Sequence, residues 1–388
     1  MRFNFTWLAI FIAALTLVAC QQEQVPTAAE ADVETDPEYY VQLAEEAIAE
    51  TEQQVLEHPS YSDAKTTVTV PAGSVDALQA AIDQAGPWGR VVVKAGMHVE
   101  NSTVTITHPV RLIGEKGAVI ESGIAGVDFA GGFPFVYPAA IFVNGADFVQ
   151  IRNLELTTAS AGGVVGIGIA VLNADRVYLR DNTTTDFASG AWSQNADDLL
   201  MIGNKFDGLL DKGINSTGFY HHSGDSPKLL RNESRDFETC FFVCDKDGLM
   251  IRNKTQGGAF GYILCKFPLG FFAMPDGTLA GADFTAEDWL LVGNEADGHS
   301  DASYQITDGA IDNLLVSNQS TNAALYDFNF EGDIQSTALG LRPAAVDNTY
   351  ISGRYRNQVI KDCAINTTLI GNFTLIDNNV DPCRTTDD

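Results

Sequence analysis

Asp198-Leu199-Leu200-Met201-Ile202-Gly203-Asn204 and Asp247-Gly248-Leu249-Met250-Ile251-Arg252-Asn253 are two copies of one pattern. An aspartate opens a short apolar run, and an asparagine stands six places after it. The pattern returns as Asp147…Asn153, Asp288…Asn294 and Asp312…Asn318, and as Asn366…Asn372 with asparagine at the first place. Asp175…Asp181 and Asp347…Gly353 change the last place, and Ser226…Asn232 changes the first. The last places are separated by 19 to 41 residues. Short separations are bare coils of a solenoid, and long ones are coils that carry loops. Each apolar run reads as a strand that bonds to its copies one coil away, roughly 4.8 Å distant. An asparagine at a fixed turn bonds neighbouring backbone and tolerates left-handed geometry, so it recurs as a ladder. No Leu-x-x-Leu-x-Leu consensus recurs, and the unit length is too irregular for a propeller. The expectation is an all-β chain, a right-handed parallel β-helix solenoid over residues 66–388.

Upstream of the repeats, Thr66 to Val70 reads as a strand that Pro71-Ala72-Gly73 breaks. Ser74 is expected to cap a helix carrying Val75, Leu78, Ala81 and Ile82 at helical spacing. Gly86-Pro87-Trp88-Gly89 stops it, and strands follow at 90–93, 104–106, 110–114 and 118–120. This order, with "GRVVVKAGMHVE", "VRLIGEKG" and "AVIESG", resembles the N-terminal cap and first coils of the pectin-lyase-like superfamily. Residues 66–388 as a whole resemble uncharacterised parallel β-helix repeat lipoproteins. The resemblance implies that the helix plugs the open end of the core, as a solenoid needs to stay soluble.

The N-terminus reads as a processing signal over residues 1–19. Arg2 precedes the mostly apolar Leu8 to Val18, a stretch shorter than the ~20 residues of a spanning helix. Leu17-Val18-Ala19-Cys20 resembles a bacterial lipobox, which implies lipidation at Cys20 and anchoring in the bacterial outer membrane. Residues 20–36 read as an acidic tether. Residues 37–65 read as an N-terminal helix and linker, with Asp36 as cap, Pro37 at the first helical place, and an end near His58-Pro59.

The chain of 388 residues carries a formal charge of −28. Residues 21–64 hold twelve acidic side chains and no Lys or Arg, and residues 65–388 hold 39 carboxylates against 22 cations. Such a body repels phosphate, which argues against a nucleic-acid partner. Cys244 stands twelve residues after Asn232, and Cys265 twelve after Asn253, so the two are expected to stack on adjacent coils and form a disulfide. Cys363 and Cys383 flank the last coil as a second candidate pair, leaving Cys240. No histidine stands at matching spacing for a metal site with these cysteines, and no cofactor is expected.

The superfamily resemblance places the substrate groove on one exposed strand face walled by turn loops. The longest such loop here is Lys266 to Asp288. Tyr220 and His221, with Lys246 and Lys266, are the catalytic candidates for β-elimination on a uronic-acid polymer, a base removing the proton beside the carboxylate and a cation stabilising the enolate. The superfamily's own motifs are not matched: no Trp-x-Asp-His occurs, and Gly298-His299-Ser300 is only part of Gly-His-Gly. The sequence therefore supports an envelope-anchored β-helix that binds or processes a polysaccharide, or else a non-catalytic scaffold or adhesion module. Cys20→Ser is expected to release the protein from the membrane fraction, because lipidation is the anchor that the sequence offers; unchanged retention after cell fractionation would contradict the lipobox reading.

Overall fold

The computed structural model describes residues 36–62, 66–124, 138–158, 166–209, 216–267, 284–307, 309–332, 334–336, 340–342, 344–352, 358–376 and 386–387. The expected signal segment, Cys20, the tether before Asp36, most of the 266–288 loop and Cys383 lie outside the described residues.

Three parallel sheets stack along one axis. The first has twelve strands, from Thr67–Val70 to Thr368–Ile370. The second has nine, from Gly96–Glu100 to Gln319–Thr321, and the third eleven, from Val104–Ile106 to Phe373–Ile376. Each full coil gives one strand to each sheet in turn. Leu200–Ile202, Lys205–Asp207 and Thr217–Asp225 form one coil. The next coil's Lys228–Leu230, Glu233–Arg235 and Thr239–Lys246 pair with them in parallel. The chain is a parallel β-helix.

An asparagine ladder fixes the corner between the first and second sheets. Asn204 donates from its backbone N–H and from Nδ2 to Asn232 Oδ1, at 2.9 and 3.0 Å. Asn232 makes the same pair of bonds to Asn253, Asn253 to Asn294, and Asn294 to Asn318. These asparagines are 2% exposed or less. The residue before each one, Gly203, Arg231, Arg252, Gly293 and Ser317, has φ between 51° and 64°, the left-handed turn that swings the chain into the next sheet. The expected register slips by one in the first two units. Asn182, not Asp181, donates to Asn204, and Leu154, not Asn153, donates its backbone N–H to Asn182. Asn153 and Asp181 take the left-handed turn position instead, at 56° and 51°. Both tolerate that geometry, which is why composition alone misplaced them.

Inside, aromatic rings of the third sheet stack coil on coil. Phe241 and Tyr262 lie 5.4 Å apart, Tyr262 and Tyr304 4.8 Å, and Tyr304 and Phe328 4.6 Å, all within 8° of parallel. The buried Tyr304 hydroxyl donates to Asn294 O at 2.8 Å, so the polar end of the ring is satisfied.

Helices close the remaining surfaces. We number them α1 (Pro37–Leu56), α2 (the short Pro59–Ser62) and α3 (Leu78–Ala85). α3 buries Leu78, Ala81, Ile82 and Ala85 over the first coils and plugs the N-terminal end. Its cap differs from expectation. Ser74 Oγ is bonded to His98 Nδ1 at 2.8 Å, four places before the helix. The carboxylate of Glu100 accepts the Ala77 and Leu78 N–H groups instead, each at 3.0 Å. That supplies the negative charge a helix N-terminus favours.

α1 covers the outer side of the first sheet. That sheet is apolar on both faces: Met201, Leu229, Met250 and Leu291 point into the core, while Ile202, Leu230, Ile251, Val292 and Val316 point out. Ala44, Ile48 and Val55 pack on Tyr178, Leu200, Leu230 and Ile251, and Tyr40 and Val41 on Val292, Val316 and Ile351. Twenty residues at 1.5 Å each reach about 30 Å, which matches about six coils at roughly 4.8 Å. Glu45 takes both Arg231 and Arg252, at 2.8 and 2.9 Å, and Glu52 takes Arg180 and the Tyr178 hydroxyl. Ile48→Ala is expected to lower stability by about 2–4 kcal/mol, since Ile48 is 1% exposed and fills the helix–sheet seam. Asn253→Ala is expected to cost about 3 kcal/mol by leaving two buried donors of Asn232 unmet. Denaturant titration checks both, and a cost under about 1 kcal/mol for either would contradict the assigned role.

Candidate functional site

The third sheet turns a second set of columns outward, because alternate residues of a strand face opposite ways. Its register aligns Phe142, Ala170, Trp192, Tyr220, Phe242, Ile263, Gln305, Asn329 and Lys361 in one outer column. The N-terminal half of this column is apolar. Trp192 and Tyr220 stack at 4.1 Å between centroids, and Tyr220 and Phe242 at 5.2 Å. Trp192 and Phe242 are partly exposed, and Tyr220 is buried between them. Cys244 and Cys265 lie beside this stripe and are disulfide-bonded, with Cα atoms 4.9 Å apart. The C-terminal half is polar. Glu331 gathers Gln305 Nε2 at 2.7 Å and the Thr307 hydroxyl, with Asn329 Nδ2 at 3.4 Å. Lys361 stands on the next coil with its ammonium 5.2 Å from the centroid of the Tyr326 ring.

The four catalytic candidates are not brought together. Tyr220 points out. His221, one residue on, points into the core and is fully buried. Lys246 is half-exposed at the turn between the third and first sheets, ion-paired to Glu287. The Lys266 side chain lies outside the described residues. Adjacent strand residues face opposite ways, so Tyr220 and His221 cannot serve one substrate from this strand.

His221 belongs instead to an enclosed set that the sequence did not disclose. Its Nδ1 bonds Ser193 Oγ and its Nε2 faces the Asp245 carboxylate. Ser193, His221 and Asp245 are 1%, 0% and 3% exposed. Burial pushes His221 down to about 3 and Asp245 well above the usual carboxylate range. The pair shares one proton and encloses no net charge, the form that burial tolerates. The residue types match a nucleophilic triad, but all three are buried, and they cross-link three coils internally. Ser193 and His221 are register partners, and their spacing of 28 equals that from Asn204 to Asn232, the signal that would have found them.

Cys240 is a free, buried thiol that burial pushes up to about 12, so it is not a nucleophile near neutral pH. Cys363 is disulfide-bonded. The second sheet's outer face lines an open groove of about 580 Å³. Its lysines are ion-paired within the groove, Lys205–Glu233 at 3.0 Å and Lys254–Glu295 at 2.8 Å. Among the described residues no cluster of three or more His, Cys, Asp or Glu is arranged for a metal, and no helix is long and apolar enough to cross a membrane.

No protein-family model and no curated protein matches the chain. Among solved structures it is similar to an alginate lyase from Paenibacillus sp. str. FPU-7, at 12% identity over 80% of this chain and 97% of that one, TM-score 0.46. It is similar to the A-module of the Azotobacter vinelandii mannuronan C-5 epimerase AlgE4, at 16% identity over 84% and 99%, TM-score 0.43. It is also similar to PfbA, a surface adhesin of Streptococcus pneumoniae, at 12% identity over 80% and 92%, TM-score 0.42. Likenesses of this strength do not assign an activity.

An acidic ridge borders the first sheet. Asp147, Asp175 and Asp197 each accept the backbone N–H of the next coil's aspartate, the last being that of Asp225, at 2.9 to 3.1 Å. Farther along, partial desolvation and the carboxylates of Asp247, Glu287 and Asp312 raise Asp288 to about 6. A raised folded value means that the native chain holds more protons than the unfolded one between about pH 4 and 6. Its contribution to stability is therefore lost as pH rises through that window. Asp288→Asn is expected to raise stability at pH 7.5 by a few tenths of a kcal/mol, the size usual for exposed charges, and to leave it unchanged at pH 4. Thermal denaturation at the two pH values checks this, and the reverse order would contradict it.

Proposed function

We propose that this chain is an envelope-anchored lipoprotein that binds a polysaccharide along the outer face of the third sheet without cleaving it. The observation that carries the reading is the change along one outer column, from Trp192, Tyr220 and Phe242 to Gln305, Asn329 and the Glu331 cluster. A sugar polymer is amphipathic along its length, with C–H faces and hydroxyl edges. Binding sites for such ligands combine an apolar, aromatic wall with a few placed polar groups. The column crosses successive coils, so a polymer extended across the coils meets both halves. The stacked rings turn their edges outward and serve as an apolar rail. Binding rather than elimination is favoured because Tyr220, His221 and Lys246 share no face. The acidic body favours a neutral polymer over a polyanion. The anchor rests on the lipobox at Cys20, and the display of such a rail on an envelope suits adhesion or retention of a glycan.

Native gel electrophoresis in dextran, galactomannan, alginate or polygalacturonate tests the reading. At least one neutral polymer is expected to retard the mature protein, and Trp192→Ala is expected to weaken that retardation about tenfold, corresponding to ~1.4 kcal/mol. Incubation with polygalacturonate or alginate is expected to give no ultraviolet absorbance of an unsaturated product. Retardation by no polymer, or an unaltered Trp192→Ala variant, would overturn the reading.

A further inference from the structure

The columns that fill the core run into the open at the C-terminal end of the β-helix. Phe328, Ile360 and Leu375 are successive register partners on the third sheet. The first two are fully buried, whereas Leu375 is 45% exposed. In the first sheet, Leu369 follows the buried Tyr350 and is only half-buried. Ile365, Ile370 and Ile376 of the same coil are exposed as well. Residues 363–376 hold no charged side chain, in a chain of which 19% is charged. The opposite end is built differently. There α3 covers the core and leaves Asp83 and Gln84 exposed, the polar-faced cap that keeps a solenoid end soluble.

The course of α1 says what covers the apolar end. Tyr40 and Val41 pack on Val292, Val316 and Ile351, and the Val55 carbonyl accepts from Gln150 Nε2 at 3.2 Å. α1 therefore runs from the last coils back to the early ones. Ile351 is the register partner of Ile370, so the segment that links Cys20 to α1 joins the β-helix about one coil from its open end. That segment, residues 21–36, is sixteen residues long. A random coil of this length spans about 20–25 Å, half of the roughly 50 Å that twelve strands cover at ~4.8 Å each.

We infer that the last coil of the β-helix, through Ile365, Ile370, Leu375 and Ile376, rests on the lipid surface that holds the Cys20 anchor. The inference rests on the anchored reading above and adds an orientation to it. Thr368–Ile370 and Phe373–Ile376 are the edge strands of their sheets, and edge backbone groups need hydrogen-bond partners that hydrocarbon lacks. The contact is therefore at headgroup depth, where apolar side chains enter and backbone groups still meet water. The acidic body favours zwitterionic over anionic lipid. In this orientation Trp192, Tyr220 and Phe242 stand several coils away from the membrane, clear for a polymer.

The test is hydroxyl-radical footprinting of the lipidated wild type on phosphatidylcholine–phosphatidylethanolamine vesicles, with soluble Cys20→Ser as the reference. Ile365, Ile370, Leu375 and Ile376 are expected to lose reactivity severalfold on the vesicles, while the exposed Val75 and Met97 near the other end keep theirs. Wild type that floats with the vesicles but keeps those four residues reactive would overturn the inference while the anchor stands. Protection of Val75 and Met97 in their place would overturn it by reversing the orientation. Concentration-dependent protection of the four in Cys20→Ser without vesicles, with a dimer mass by sedimentation, would assign the end to a second copy of the chain and overturn it too. Wild type that does not float with vesicles would overturn the anchor and the inference together.

Discussion

Everything else in this molecule depends on the register that its asparagine ladder holds. Each of Asn182, Asn204, Asn232, Asn253 and Asn294 gives two hydrogen bonds to the side-chain oxygen of the asparagine one coil on, and these residues are buried. A coil shifted by one residue would break both bonds and turn every side chain of its strands to the wrong face. The ladder therefore decides that Phe241 and Tyr262 stack inside and that Trp192 and Phe242 line the outside. Long insertions between strands leave the columns intact because the corner, not the loop, sets the alignment.

The buried polar groups sort themselves by the same columns. Ser193 and His221 sit where the inward column otherwise holds residues such as Val243, and Asp245, two places after Val243, faces His221. On the outer face, Gln305 and Asn329 both turn their amide nitrogens to Glu331. α1 contributes on the opposite side, where it converts an apolar outer sheet face into a solvated surface through Glu45 and Glu52.

The sequence made the solenoid legible because nine weak matches in register outweigh any single motif. It also made the Cys244–Cys265 pair legible, since equal offsets from ladder residues are equal positions along a coil. The ladder's first two places came out one residue early because Asn153 and Asp181 suit the neighbouring left-handed turn. The site fared worse. Tyr220 and His221 look like one functional pair in the sequence, yet one lies in the ring stack of the outer face and the other in the core. The role of α1 was present as a signal: Leu200-Met201-Ile202, Leu249-Met250-Ile251 and Leu290-Leu291-Val292 are apolar at every place, the mark of a sheet covered on both sides. Asp245 was illegible because the register shifts between His222 and Asp225, next to it in the paired strand.

Hydroxyl-radical footprinting, in the presence and absence of whichever neutral polymer retards the protein, tests the central claim directly. The account predicts that Phe142, Trp192 and Phe242 lose reactivity together when the polymer is added, while the exposed Tyr39, Met97 and Leu325 keep theirs. Protection of Met97 or Tyr39 with Trp192 and Phe242 unaffected would place the polymer elsewhere and contradict the assignment of the third sheet's outer face.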